Sequence, residues 1–410
     1  MNEALHVPKN KTALRNAIML GSMCSIAYLA VYVAKYILSQ ISPQMTAEGV
    51  LSESQIGTLS SLYFIVYAVG QLINGMIGDR IKAKYMISFG LAFGGCCLLI
   101  FSQTTATFGV AKTAYAAMGF FLSMIYAPLS KLVAENTEPI YTTRCSLGYT
   151  FASLLGSPSA GVLAMFLTWQ WVLRVGSSIL IVMGVICFLV LSIFERKKII
   201  QYGKYKIQKT SENNKGGIKL LIEHSIIKFS FVSILTGVVR TTVVFWMPIY
   251  FNQYLKFSPK TATLIASVST IALSLSAFLA VFAYEKIFKF SLDRMVLVGF
   301  SCSAIFFLLL WIVKIPVLNV GIMIIAVLLC KCVDNIMWSR YCPSLRDTGM
   351  VSTATGYLDF LSYIAASVST KLFAGASTSI GWDGLILVWL ALMIGGVITC
   401  LPFKKILRKA

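Results

Sequence analysis

The sequence predicts an all-α polytopic membrane protein, with twelve transmembrane helices in two pseudo-symmetric six-helix bundles. Three observations carry this reading. The 410 residues are 58% hydrophobic and only 12% charged, with a mean hydropathy of +0.81, a balance outside the range of soluble globular chains. Charge-free runs recur at the length that crosses a bilayer, about 20 residues. Two cations set in apolar surroundings also repeat at one offset. Lys35 plus 205 is Arg240 and Pro43 plus 205 is Pro248, so each half places a cation eight residues ahead of a proline.

In chain order, the first helix is expected over 16–40, because 16–34 is free of charge and a second charge-free stretch, 36–47, follows Lys35. It follows a basic segment without a small-residue cleavage site, so it reads as a retained span and not a signal peptide. The second helix, 53–78, closes on Gly75-x-x-Gly78 before the charged turn Asp79-Arg80. The third (84–103) and the start of the fourth (108–132) draw on the charge-free run Tyr85 to Ala111. The fifth, 145–166, carries Ser153, and the sixth, 171–194, contains the run Val175 to Phe194. The seventh, 227–252, is free of charge from Phe229 onward apart from Arg240. At bilayer depth a guanidinium costs roughly 2.5–3.5 kcal/mol even on the lenient insertion scale, so it marks a functional position. The eighth (261–284), ninth (293–313) and twelfth (383–403) rest on the runs Thr261 to Tyr284, Met295 to Val313 and Gly384 to Phe403. The tenth, 317–340, holds Lys331 and Asp334, and the eleventh, 351–376, holds Asp359.

The placement of the net charge of +20 points to topology and not to nucleic acid. Basic residues crowd the N-terminus (Lys9, Lys11, Arg15), the turn at Arg80, Lys82 and Lys84, the segment from Arg196 to Lys228, the turn at Lys286 and Lys289, and the tail (Lys404, Lys405, Arg408, Lys409). These are alternate connections, so the positive-inside bias puts both termini in the cytoplasm of a multi-pass protein of the plasma (inner) membrane. From Glu195 to Lys228 there are nine Lys or Arg against three acids. The expected organisation is an N-terminal bundle over 1–194, a basic cytoplasmic linker over 195–226 that meets anionic membrane lipid, and a C-terminal bundle over 227–410. A monomer is expected.

Nine of the ten cysteines fall inside the expected helices, Cys145 at the first position of its span, without a CxxC pair or a histidine cluster, so neither a disulfide framework nor a metal site is implied. His6 and His224 lie outside the expected spans. Phosphate loops, dinucleotide fingerprints and Ser/His/Asp arrangements are absent, which argues against an enzyme and implies no cofactor.

The string from Gly75 to Lys84, with Asp79 and Arg80 at its centre, resembles the signature loop of the major facilitator superfamily. Small residues there let two helices approach, and Asp79 is placed to hold cations or a neighbouring helix terminus. The acid-base pair recurs, since Asp79 plus 206 is Glu285 and Arg80 plus 206 is Lys286. Within that superfamily the chain is most similar to the organophosphate:phosphate antiporters, the glycerol-3-phosphate and hexose-phosphate carriers. The likeness rests on residues 32–43 around Lys35, 56–80, the string Arg240-x5-Trp246-x-Pro248-x-Tyr250, residues 356–367, and Gly381-Trp382-Asp383-Gly384.

The resemblance implies the major facilitator fold, a small anionic solute as substrate, and phosphate binding by Lys35 and Arg240. Tyr32, Tyr67 and Tyr363 are candidates for the pocket wall. The departures are specific. Lys35 replaces the family's arginine and is a point charge without a bidentate fork. Gln71 stands where glycerol-phosphate carriers have a lysine, and Ser153 where a central histidine is expected. Lys331, Asp334 and Asp359 are charges that the family pattern lacks. Lys331 and Asp334, three apart on one helical face, form a candidate charge pair, and Asp359 is the better candidate for proton coupling.

The expected function is therefore alternating-access transport of an organic anion in exchange for phosphate. Proton-coupled symport of a carboxylate such as a sugar acid, and drug export, remain open beside it. So does a role as a transporter-like sensor.

Overall fold

Twelve apolar stretches fold as helices for the reason the bilayer imposes: within it, each backbone N–H and C=O must find a partner inside its own segment. The computed structural model describes residues 11–203 and 221–401. The linker residues 204–220, His6, Lys9 and the basic tail lie outside the described residues.

Six helices form the first half: α1 (Lys11–Ala47), α2 (Glu53–Gly78), α3 (Ala83–Gln103), α4 (Phe108–Asn136), α5 (Pro139–Phe166) and α6 (Trp169–Arg196). The second half follows as α7 (Ile226–Gln253), α8 (Pro259–Ser274), α9 (Ser276–Phe282), α10 (Leu292–Ile312), α11 (Pro316–Ile336), α12 (Val351–Ser379) and α13 (Gly381–Cys400). Eleven helical segments among the described residues are long and apolar enough to cross a membrane. With α12 they make up the twelve-helix arrangement.

Local chemistry sets the boundaries. Ser52 caps α2 by accepting from the Gln55 N–H while the Gln55 side chain accepts from the Ser52 N–H, a reciprocal capping box. Proline at the first turn starts α5, six residues earlier than its expected start at 145. The eighth span is broken at Leu275 into α8 and α9 and ends in a π-helical turn, Ala283–Ile287. Ser274 and Ser276 flank the break and turn their hydroxyls back on the carbonyls of Ile271 and Leu273, which bends a helix. Likewise α11 passes into a π-helical turn, Met337–Tyr341.

The contacts group the described residues into two units. The first holds 11–203, 221–224 and 342–360; the second holds 225–341 and 361–401. This differs from a cut at the linker alone, because 342–360 packs with the first unit. In that unit α1 lies along α5, α2 along α4, and α3 between α4 and α6. Small residues permit the close crossings: a Cβ on Gly184 would stand 2.8 Å from the Ser88 carbonyl oxygen. In the second unit α10 packs on α11 and α13, and α7 contacts α8, α11 and α13.

Candidate functional site

Lys35 lies on α1 with 8% of its surface exposed. Its ammonium sits 5.0 Å from the ring centroid of Tyr32, 5.0 Å from that of Tyr67 and 5.4 Å from that of Phe64. Three aromatic faces thus surround one cation, each attracting it through the ring quadrupole. Tyr32 is one helical turn before Lys35, while Phe64 and Tyr67 come from α2. Tyr28 extends the aromatic wall: its ring is 4.9 Å from Tyr32 and stacks 5.3 Å from Tyr126. The structure therefore brings Lys35, Tyr32 and Tyr67 together and adds Phe64.

Gln71 is one turn beyond Tyr67 on α2, wholly buried, and neither amide atom has a hydrogen-bond partner among the described residues. Ser153 donates its hydroxyl to the Thr150 carbonyl 2.6 Å away, which leaves the hydroxyl oxygen able to accept. Asp359 is buried in the part of α12 that belongs to the first unit. Tyr363 is half-buried on the part that belongs to the second.

In the second unit Arg240 is the centre of a cross-helix network. Its Nη1 donates to Asp334 Oδ2 at 2.9 Å, and its Nη2 donates to Ser362 Oγ at 3.2 Å. The other carboxylate oxygen of Asp334, Oδ1, accepts from Thr236 Oγ1 at 3.2 Å and from Trp338 Nε1 at 3.1 Å. This corrects the expected pairing of Asp334 with Lys331. The carboxylate turns across to α7, where the planar guanidinium and a hydroxyl meet it, and the i,i+3 neighbour is left aside. Lys331 is half-buried and forms no ion pair among the described residues. Thr236, Ser362, Trp338 and Phe64 were not singled out from the sequence. Gly237, three residues before Arg240, was the available signal: a Cβ there would come within 3.0 Å of the Ser362 carbonyl oxygen, so α7 and α12 touch where the network forms.

The Gly75–Arg80 string builds a second constellation. The Asp79 side chain accepts from the backbone N–H groups of Ser352 (3.0 Å) and Thr353 (2.7 Å), two of the orphan donors at the start of α12. A carboxylate at a helix N-terminus is stabilised by both the bonds and the dipole. Gly349 enters the left-handed region at φ 68°, which lets the chain turn into that helix. Lys131 completes the cluster, 3.2 Å from Asp79 Oδ1 and 3.0 Å from the Asp79 carbonyl oxygen. Gly75 makes the approach possible, since a Cβ on it would stand 3.0 Å from Gly356 Cα. Arg80 is exposed beside this cluster. The repeat is unequal, because Glu285 and Lys286 lie in the π-helical turn and form no ion pair among the described residues. At the start of α3, Glu195 accepts from Lys82 at 2.7 Å and holds that ammonium above its ordinary range.

Comparison with known proteins now bears on this geometry. A family profile described as the Major Facilitator Superfamily matches residues 24–370. The chain is 21% identical to the membrane sensor protein UhpC of Escherichia coli K12, over 88% of this chain and 86% of that one. It is 23% identical to the phosphoglycerate transporter protein of Salmonella typhimurium LT2, over 92% and 86% respectively. Its fold is similar to the crystal structure of a bacterial homologue of the iron transporter ferroportin, with a TM-score of 0.69 at 12% identity, covering 94% of this chain and 99% of that one.

Proposed function

The chain belongs to the Major Facilitator Superfamily, and from that premise we propose that it moves a small organic anion, an organophosphate or a chemical relative, by alternating access and in exchange for phosphate. It is a membrane carrier and not an enzyme. The observation that carries the anion reading is the Arg240 network: a guanidinium within a membrane helix, its fork oriented by Asp334 and Ser362. Such a group is expensive at that depth and suits planar recognition of phosphate or carboxylate.

Lys35 is assigned the companion role, with Tyr32, Tyr67 and Gln71 shaping the surroundings of its charge, and Ser153 and Tyr363 contributing to specificity. The likeness to the phosphoglycerate transporter supports the organophosphate class. Gly75, Asp79 and Arg80, with Lys131, form a latch whose bonds to Ser352 and Thr353 must break and re-form in each cycle. Glu285 and Lys286 act at the corresponding turn of the second half. The protein is placed in the plasma (inner) membrane as a monomer, with both termini and the basic linker on the cytoplasmic side against anionic lipid.

A second reading, a transporter-like sensor, is favoured by the likeness to UhpC. Proteoliposomes separate the two. Phosphate-loaded vesicles should accumulate an external organophosphate without a proton gradient, and Arg240→Gln should lower uptake by about a hundredfold while leaving insertion intact. Binding without accumulation under either a phosphate or a proton gradient would turn the reading to a sensor. Normal uptake by Arg240→Gln would defeat the anion site.

A further inference from the structure

We propose that Asp334 is an internal counter-ion that holds Arg240 when no anion is bound and passes to Lys331 when one is. This rests on the reading that Arg240 binds the transported anion, and it names what regulates that cation.

The division of labour between the two oxygens of Asp334 carries the inference. Oδ1 is anchored by Thr236 and by Trp338, while Oδ2 alone meets Arg240. An anion that draws Arg240 away removes one charged bond and leaves the anchored oxygen satisfied. The carboxylate therefore keeps its place, with one oxygen to be neutralised again. Lys331 is the group placed to do so. It lies three residues before Asp334 on α11, a spacing that puts the two side chains about 5–6 Å apart at their Cβ atoms. It is half-buried and has no ion pair among the described residues. An ammonium in a membrane helix needs a use, and this position supplies one.

The charges agree with the exchange. Without substrate, Arg240, Lys331 and Asp334 sum to one positive charge, held as a neutral Arg240–Asp334 pair beside a lone lysine. With a monoanion on Arg240 and Asp334 on Lys331, the cluster becomes two neutral pairs. Affinity and release are set by the same competition: a carboxylate 2.9 Å from Arg240 opposes binding and then helps to expel the anion. Too tight a hold would stop the cycle, and an internal competitor prevents it.

The test uses the purified full chain, with inorganic phosphate as the probe and its dissociation constant and exchange rate as readouts. Asp334→Asn should bind phosphate about tenfold tighter and exchange it more slowly, because the competitor has lost its charge. Lys331→Met should bind it about tenfold more weakly, because the displaced carboxylate stays uncompensated. On the Asp334→Asn background Lys331→Met should change affinity by less than about twofold, since no charged carboxylate remains to receive. If Asp334→Asn does not fold, Lys331→Met decides against Lys331→Arg: Met must weaken binding and Arg must restore it. Unchanged or weaker binding by folded Asp334→Asn overturns the proposal, as does an equal effect of Lys331→Met on both backgrounds or an unchanged affinity of Lys331→Met. Arg240→Gln separates the two levels. Phosphate binding that survives it sinks the anion site itself, whereas loss there with no gain in Asp334→Asn sinks the counter-ion alone.

Discussion

Gln71 shows the tension between stability and function at one residue. Its amide is buried without a hydrogen-bond partner among the described residues, one helical turn from Tyr67 in the wall around Lys35. An unsatisfied buried polar group costs about 1–3 kcal/mol, and an apolar group of similar size removes that cost. Gln71→Leu should therefore raise the thermal unfolding midpoint of the purified protein, by an amount equivalent to about 1 kcal/mol. The same change should raise the KM for organophosphate uptake, if the amide meets substrate during the cycle. A stabilised variant with unaltered KM would restrict Gln71 to packing. Residue by residue, legibility in the sequence follows cost. Lys35 and Arg240 stand out because a charge in an apolar run has no cheap explanation. The partner of Asp334 does not, because sequence spacing reports neighbours on one helix and is silent about the guanidinium that α7 brings across. Lys131 was passed over for the same reason: its partner, Asp79, is fixed only when α2 and α4 pack together.

Helix spans were almost wholly readable, because the bilayer demands long apolar segments and the sequence supplies them. What escaped were the departures from regular helix, the break at Leu275 and the two π-helical turns, which depend on local bonding and not on hydropathy. The crossing of α2 with the start of α12 was half readable. Gly75 and Gly78 were visible as small residues, but their partners were not. A Cβ on Gly356 would stand 2.8 Å from Gly75 Cα and would overlap the Gln71 carbonyl oxygen. Neither neighbour is the end of a flexible side chain, so the helices must separate. Gly356→Ala should destabilise the protein by about 2–3 kcal/mol through overpacking. The check is thermal unfolding of Gly356→Ala beside wild type; an unchanged midpoint would mean that the crossing is looser than the geometry requires.

For the whole molecule, orientation follows from counting cations at the ends of its helices. Arg80 and Lys82 join α2 to α3 with Lys84 in the first turn of α3, and Arg196 ends α6 with Lys197 and Lys198 after it, whereas the connection from α3 to α4, residues 104–107, carries no charge. The positive-inside bias acts on short basic connections like the first two, and on the proposed orientation they face the cytoplasm while residues 104–107 face outside. Two exposed positions report this without disturbing a buried contact: Ala106 between α3 and α4, and Gln201 after α6, whose side chain points to solvent. In a background with the ten native cysteines replaced, Ala106→Cys should react with an impermeant thiol reagent on intact cells. Gln201→Cys should react only after the membrane is opened. Labelling of both from the same side would break the alternation of helices and with it the twelve-span topology. Reversal of the two would keep the topology but invert the molecule, moving the Asp79 latch to the outer face.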